Sequence, residues 1–262
     1  MDRDNVTETR LSPFGVVITA NDAGADIGAL PFQRIKDWVA AHRVVVFRGF
    51  APLVADRFPE FAGGLGTILE WDFGAVNNLV VKPDAKNYLF TNRAVPFHWD
   101  GAFVGRIPHY IVFQCDTAPP RGTGGETLFT DTVALLGRVS ADEQGIWKDV
   151  RITYSTEKIV HYGGSFTSPL IARHPASGEI VVRYAEPVDD LNPVTLEIEG
   201  VADDAQPAFL ARLHDLLYDS ELCLNLTWDT GDLVIADNHA TLHGRTAFTQ
   251  AEQRHIRRVN VL

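Results

Sequence analysis

The segment Phe97-His98-Trp99-Asp100, followed at once by Gly101, carries the most information in this sequence. It closes a strand-like run that begins at Val95. Side chains two residues apart on a strand point to the same face, so His98 and Asp100 are expected to project side by side. An imidazole and a carboxylate placed together can bind a metal ion. The motif therefore predicts a metal site at the end of a strand.

A third ligand is sought far downstream, in Asp237-Asn238-His239-Ala240-Thr241-Leu242-His243. Two histidines and one carboxylate on one side of a metal, with open positions opposite, are typical of non-haem Fe(II) oxygenases. On a helix His239 and His243 would share a face, like a zinc-binding pair. Gly244 and Thr246 follow closely, and a strand pattern precedes, so we favour a loop that enters the next strand. The residues alone leave the choice between His239 and His243 open.

Two arginines near the C-terminus suggest anion binding. Arg254 and Arg258 lie four residues apart, in a strand pattern that includes Ile256. On a strand they face the same way, roughly 13 Å apart at about 3.3 Å per residue. A guanidinium fork suits a carboxylate, so two on one interior face suit a dicarboxylate or two anionic molecules. An exposed basic strand edge is the alternative. Thr127, after Gly124-Gly125-Glu126, adds a hydroxyl donor, unless it merely packs or caps.

Composition and charge bound the class of protein. The chain has 262 residues, 45% of them hydrophobic and 22% charged, which is typical of a globular protein. Its formal net charge of −11 argues against nucleic acid or an anionic membrane as a partner. Cys115 and Cys223 each lie in an apolar run and are predicted to be buried free thiols. The polar N-terminus and the lack of a long apolar stretch predict a cytoplasmic protein.

The distribution of elements predicts one domain over 1-262 that is mainly β with flanking helices, a double-stranded β-helix or jelly roll. No repeat, linker or βαβ alternation is visible. Helices are predicted from Pro31, over Asp56 to Leu65, in an insert from Asp131 to Trp147 and around Leu213. Strands are predicted over Arg43 to Arg48, Tyr88 to Thr91, Val95 to Asp100, His109 to Cys115, Glu126 to Phe129, Leu170 to Arg173, Ile180 to Tyr184, Leu222 to Trp228, Leu233 to Ala236 and Ile256 to Leu262.

Taken in order, these motifs resemble the Fe(II)- and 2-oxoglutarate-dependent dioxygenases of the TauD/TfdA family, over nearly the whole chain. The match begins at the strand pattern His42 to Gly49 and ends at the paired arginines. The resemblance implies that the iron ligands are His98, Asp100 and His243, since His239 falls where the family usually has an arginine. It implies that Arg254, assisted by Thr127, holds the distal carboxylate of 2-oxoglutarate, with O2 as the other co-substrate. It places Arg258 near the anionic group of the primary substrate, and it makes a homodimer plausible.

A narrower resemblance points to the isonitrile-tailoring, PvcB-type members of the paerucumarin and rhabduscin pathways. It rests on Leu69 to Gly74, Asn87 to Thr91 and His98 to Phe103. It implies a small aromatic substrate with a carboxylate, a tyrosine-derived isonitrile. The expected reaction is oxidative desaturation to a vinyl isonitrile, with or without decarboxylation. Aromatic side chains near the motif are candidate pocket walls, with core packing as the alternative: Trp71, Phe73, Trp99, Phe103 and Tyr162.

Three other functions remain open from the sequence. A TauD-like hydroxylase of another small carboxylate or sulfonate would use the same site. A zinc-dependent hydrolase could use the same three ligands but has no need of paired arginines. An inactive jelly-roll binding protein could retain the fold, but it would have little reason to retain the ligands and Arg254 together.

Overall fold

The computed structural model describes residues 5–159, 162–249 and 254–262. Within these ranges no helix combines the length and apolar character needed to cross a membrane. The helices are α1 (Phe32–His42), α2 (Arg57–Gly63), α3 (Thr132–Leu136), α4 (Ala141–Trp147) and α5 (Gln206–Leu217). The strands are β1 (Val6–Arg10), β2 (Val16–Ala20), β3 (Val44–Arg48), β4 (Asn77–Leu79), β5 (Val95–His98), β6 (Tyr110–Thr117), β7 (Thr127–Asp131), β8 (Arg151–Thr156), β9 (Gly164–Pro169), β10 (Ile171–Arg173), β11 (Ile180–Val182), β12 (Thr195–Glu199), β13 (Cys223–Leu226), β14 (Leu233–Asp237), β15 (Thr241–Arg245) and β16 (His255–Val261).

Two sheets packed face to face form the centre of the molecule. The major sheet has the strand order β1-β2-β3-β14-β6-β16-β4, and the minor sheet has the order β13-β7-β15-β5. Phe113 and Ile256 of the major sheet pack with Phe129 and Leu224 of the minor sheet in one buried cluster. The predicted mainly β, jelly-roll fold is confirmed.

Helices and a further sheet cover the outer faces of this sandwich. On β3, Val44 and Val46 face the minor sheet, whereas Val45 and Phe47 pack among α1 and α2. Burial on both faces explains why that strand is a continuous apolar run. The outer face of the minor sheet packs against α5 and a third sheet with the order β12-β8-β9.

Some predicted elements are wrong. Tyr88 to Thr91 is not a strand but a 3-10 turn over Tyr88–Phe90, because the Asn87 side chain accepts a hydrogen bond from the Leu89 backbone N–H and caps the turn. The predicted helical insert is two short helices, α3 and α4. Ser140 and Glu143 form a capping box that starts the second one.

Candidate metal centre and substrate cleft

Two neighbouring strands of the minor sheet bring the predicted ligands together. His98 ends β5 and His243 lies on β15, and the two residues are direct partners in the antiparallel pairing. Their ring centroids are 4.2 Å apart. Asp100 follows two residues after His98, with its Oδ1 3.7 Å from His98 Nε2. Ligand atoms of all three side chains lie within 4.8 Å of one another, a spacing that can hold a metal ion.

The histidines have the protonation state that a metal requires. Nδ1 of His98 lies 2.9 Å from the Pro96 carbonyl oxygen, to which it donates, so the Nε2 lone pair stays available. Burial lowers the pKa of His98. Burial also lowers the pKa of His243 well below its usual value, and a proton on His98 would further disfavour one on His243. Both imidazoles are therefore neutral near pH 7, as metal ligation needs. Nδ1 of His243 is buried and has no hydrogen-bond partner among the described residues.

Asp100 is held as a carboxylate by groups from the major sheet. Its side chain accepts from Arg258 Nη1 at 3.0 Å and from Asn260 Nδ2 at 2.8 Å. Burial alone would raise the pKa of Asp100, but the charge of Arg258 and, at acid pH where they are protonated, those of the two histidines outweigh it and lower the pKa to about 2. Arg258, predicted to contact the substrate, thus also orients a predicted ligand.

Asn238 fixes the backbone of Asp100. Its Oδ1 accepts from the Asp100 backbone N–H at 2.9 Å, and its Nδ2 donates to the Asp100 carbonyl at 3.0 Å. Sequence reasoning missed the roles of Asn238 and Asn260. The role of Asn260 could have been predicted, because Asn260 lies two residues after Arg258 and therefore on the same face of the strand.

His239 lies apart from this cluster, in a second group with His109, His174 and Asp237. The rings of His109, His174 and His239 are about 5.4–5.5 Å apart. His109, His174 and Asp237 also have a metal-compatible spacing. However, Nδ1 of His174 accepts backbone N–H groups from Ala176 and Ser177, so its hydrogen is on Nε2 and donates to Asp237 at 2.9 Å. A metal would displace that hydrogen, so we interpret the group as a structural brace.

We expect His174→Leu to lower the free energy of unfolding by about 3 kcal/mol, because the buried Asp237 carboxylate loses its side-chain donor and retains the backbone N–H groups of His239 and Ala240. Urea denaturation followed by circular dichroism measures this. His214→Leu is the matched control: its side chain is 58% exposed and pairs with Glu186, so we expect a loss under about 1 kcal/mol. Equal losses in the two variants would contradict the brace.

An inner cavity next to the His-Asp-His cluster contains a buried cation without an anionic partner. Arg254 Nε donates to the Gly125 carbonyl at 2.9 Å, and its Nη2 lies 3.4 Å from Thr127 Oγ1. Within the described ranges no carboxylate pairs with it. Burial lowers the pKa of Arg254 to about 10. A buried guanidinium of this kind calls for a carboxylate ligand. Trp228 Nε1 donates to Thr127 Oγ1 at 3.0 Å, which fixes that hydroxyl.

A second guanidinium, missed in the sequence, lines the same cavity. Arg245 lies two residues after His243, and it donates to the carbonyls of Leu89, Thr91 and Arg93. Burial, and then the charge of Arg254, lower its pKa to about 9. Arg245 thereby strengthens the positive potential of the cavity and ties the 3-10 turn to β15.

On the other side of the cluster lies an aromatic cleft of about 690 Å³, part of it open to solvent. This volume is ordinary for a small-molecule site. Of the five predicted aromatic residues, four line it, whereas Phe73 instead stacks on Trp71. Tyr88 and Tyr154 are further aromatic residues of its wall. Leu89, His98 and Arg258 line both the cleft and the inner cavity. The two spaces therefore meet at the predicted metal ligands.

The jelly roll and the two-histidine, one-carboxylate cluster define the class of non-haem metal oxygenases. The chain belongs to the taurine catabolism dioxygenase TauD, TfdA family, whose model matches residues 8–260.

Relatives of known name are similar over nearly the full chain. A 3-((Z)-2-isocyanoethenyl)-1H-indole synthase from Fischerella ambigua is 41% identical, over 96% of this chain and 94% of its own length. A tyrosine isonitrile desaturase from Pseudomonas aeruginosa is 33% identical, over 95% and 87%. The crystal structure of PvcB from Pseudomonas aeruginosa superposes with a TM-score of 0.85 at 30% identity, covering 100% of this chain and 93% of that one. PvcB is described as an Fe, alpha-ketoglutarate dependent oxygenase from an isonitrile synthetic pathway.

The predicted class, an Fe(II)- and 2-oxoglutarate-dependent oxidoreductase of the TauD/TfdA family, is confirmed. The chemistry of the donor set fits these groups. Neutral imidazoles and one ionised carboxylate suit Fe(II). Arg254, which forms no ion pair with a carboxylate of the described ranges, suits the far carboxylate of a dicarboxylic keto acid.

Proposed function

We propose that this enzyme oxidatively desaturates the isonitrile of an aromatic amino acid to a vinyl isonitrile. The observation that carries the proposal is the aromatic cleft, which opens directly onto His98 and Asp100. The names of the relatives supply the isonitrile group and the reaction class. We further propose His98, Asp100 and His243 as the iron ligands, and 1-262 as one catalytic domain.

The proposed reaction balances as a two-electron oxidation. Substrate, 2-oxoglutarate and O2 give the desaturated product, succinate, CO2 and water. If the substrate carboxylate leaves as a second CO2, the product is the arylvinyl isonitrile; if a proton leaves instead, the acid remains. Iron with 2-oxoglutarate and O2 supplies the oxidising power that removes a hydrogen from the benzylic carbon. The protein supplies positioning and exclusion of water.

Each proposed role follows from a contact. Arg254 and Thr127 would hold the distal carboxylate of 2-oxoglutarate in the inner cavity. Arg258 and Asn260 keep Asp100 ionised and oriented. Arg258 also lines the cleft, where its charge would attract the carboxylate of the substrate.

The test is turnover of aromatic isonitriles with Fe(II), 2-oxoglutarate and O2, with succinate and the vinyl isonitrile both quantified. We expect one succinate per vinyl isonitrile, and no succinate above background with taurine. Turnover of taurine at an equal rate, or no turnover of any aromatic isonitrile, would contradict the proposal. The zinc-loaded protein is the control. If the protein is an iron-dependent oxygenase, the zinc-loaded form should give neither succinate nor vinyl isonitrile.

The aromatic ring is the point on which the relatives differ. The relative at 41% identity has an indole in its name, whereas that at 33% is a tyrosine isonitrile desaturase. The higher identity favours the indole. We therefore expect kcat/KM to be higher for tryptophan isonitrile than for tyrosine isonitrile. The tyrosine-derived isonitrile is the substrate predicted from the sequence. The opposite preference would restore the tyrosine assignment without affecting the reaction class.

We propose a cytoplasmic enzyme that acts on a small molecule, in keeping with the acidic charge of −11. The homodimer stays a prediction.

A further inference from the structure

Two phenol hydroxyls meet in the wall of the cleft. Tyr88 and Tyr162 both line it, and the Tyr162 hydroxyl donates to the Tyr88 oxygen at 3.2 Å. Tyr88 lies on the 3-10 turn that Asn87 caps, and its side chain is only 9% exposed. A buried hydroxyl in a binding cleft is expected to have a hydrogen-bond partner for its hydrogen as well as for its oxygen.

The direction of this chain of hydrogen bonds is set by a backbone group. The Leu89 N–H donates at 2.9 Å to the Asn87 side chain, so the atom that accepts must be the amide oxygen Oδ1. Asn87 Nδ2 is therefore the donor, and it donates to the Tyr162 oxygen at 2.8 Å and to Asn192 Oδ1 at 3.0 Å. The Tyr162 oxygen is thus an acceptor from Asn87, and the observed bond from the Tyr162 hydroxyl to the Tyr88 oxygen continues the series in the same direction.

Tyr88 is the last residue in this series of hydrogen bonds, and its hydroxyl hydrogen has no acceptor within the described ranges. Burial, and then the neighbouring phenol Tyr162, raise the pKa of Tyr88 well above its usual value, so the hydroxyl remains protonated. Arg258 lies close enough to act on Tyr88 electrostatically and lines the same cleft. Asp100 already accepts from Arg258 and Asn260. A neutral donor and a cation that acts on it electrostatically thus line the same cleft as His98 and Asp100.

We propose that the Tyr88 hydroxyl donates a hydrogen bond to the carboxylate of the substrate, beside Arg258, and so determines specificity for an acid over its uncharged derivatives. The inference rests on the proposed function, to which it adds a carboxylate-recognising group. A carboxylate is the partner of choice because a hydrogen bond to an ionised acceptor is roughly twice as strong as one between neutral groups. The isonitrile carbon is a neutral acceptor, so the positive charge of Arg258 would attract it less than it attracts a carboxylate.

The test compares binding of tryptophan isonitrile as the free acid and as its methyl ester. Dissociation constants are measured by anaerobic calorimetry on the protein loaded with Fe(II) and 2-oxoglutarate, so that no turnover takes place. We expect the wild type to prefer the acid. Tyr88→Phe removes only the hydroxyl, and it should weaken binding of the acid about tenfold or more while changing that of the ester less than about twofold.

Two further phenol variants provide the controls. Tyr162→Phe retains the Tyr88 hydroxyl but removes the group that orients it, so we expect a smaller loss for the acid, about threefold. Tyr154→Phe removes another hydroxyl of the cleft, one that accepts from the Ala185 N–H, and should leave the acid-to-ester ratio unchanged. Circular dichroism establishes that each variant is folded.

The outcomes separate this inference from the proposed function. Equal weakening of acid and ester by Tyr88→Phe would mean that Tyr88 only shapes the cleft, and no weakening would mean that it contacts neither; both overturn the inference alone. A wild type that binds the ester as tightly as the acid also overturns it. A wild type that binds no aromatic isonitrile overturns the proposed function, and this inference with it.

Discussion

Replacement of His243 by alanine is expected to abolish the weak visible charge-transfer band that forms when Fe(II) and 2-oxoglutarate are added without O2. It is also expected to lower turnover by more than the roughly 10- to 100-fold that loss of a residue supporting a ligand costs. The reason is geometric. His243 pairs directly with His98 across β5 and β15, and the ligand atoms of the cluster lie within 4.8 Å of one another. Removal of one imidazole leaves two ligands, which cannot hold iron firmly.

His239→Ala is the matched control for this experiment. His239 lies four residues earlier, in the turn between β14 and β15, but it packs against His109 and His174 and accepts from Arg183 at 3.2 Å. We expect the band and the metal affinity to survive in this variant. Loss of the band in His239→Ala with retention in His243→Ala would reverse the ligand assignment.

The comparison of the two histidines shows how far the sequence could be interpreted. The period of a strand was enough to predict that His98 and Asp100 project together. It could not separate His239 from His243, because that choice depends on which strand β15 pairs with. The partner, β5, is about 145 residues away in the chain, and such pairing is set by tertiary packing.

Arg258 illustrates a second limit. Its residue type and spacing predicted an anion contact, and the structure supplies an anion from within the protein, Asp100. Arg258 lies on β16 in the major sheet, whereas Asp100 follows a strand of the minor sheet. The contact crosses the interior between the two sheets, and no local sequence pattern predicts it.

The 3-10 turn that carries Tyr88 was missed for a different reason. One side chain, that of Asn87, overrides the strand propensity of Tyr-Leu-Phe-Thr.

Replacement of Arg254 by lysine is expected to weaken 2-oxoglutarate binding by roughly 30-fold or more, since truncating one partner of a buried, hydrogen-bonded charge pair costs about 2–5 kcal/mol. A lysine retains the charge but not the fork that donates to Gly125 and can meet a carboxylate with two bonds. Fe(II) binding without 2-oxoglutarate should be unchanged, because Arg254 contacts none of the three ligands directly. Anaerobic titration of the visible band measures the affinity for 2-oxoglutarate.

Arg257→Lys is the matched control, three residues further along on β16. Arg257 pairs with Asp116 through two hydrogen bonds of 2.7 Å, away from the inner cavity, so the affinity for 2-oxoglutarate should stay within about twofold. A loss in both variants would mean that each of these two guanidinium groups supports the fold, and that Arg254 has no special contact with the co-substrate.

Arg254→Met distinguishes a role of Arg254 in 2-oxoglutarate binding from a role in the stability of the fold. Burial lowers the pKa of Arg254 to about 10, and the nearby charge of Glu126 offsets only part of that effect; no carboxylate of the described ranges forms an ion pair with Arg254. Removing an uncompensated buried charge removes a desolvation cost, so the free energy of unfolding without 2-oxoglutarate should not fall, and we expect it to rise. Urea denaturation measures it. Saturating 2-oxoglutarate should stabilise the wild type but not this variant, because only a ligand that binds the native state adds stability. A variant that unfolds more easily and is still stabilised by 2-oxoglutarate would show that Arg254 is a structural residue and that the co-substrate carboxylate is bound elsewhere. Arg245 would then be the next candidate, since Arg258, the third buried arginine of the cavity, is already paired with Asp100.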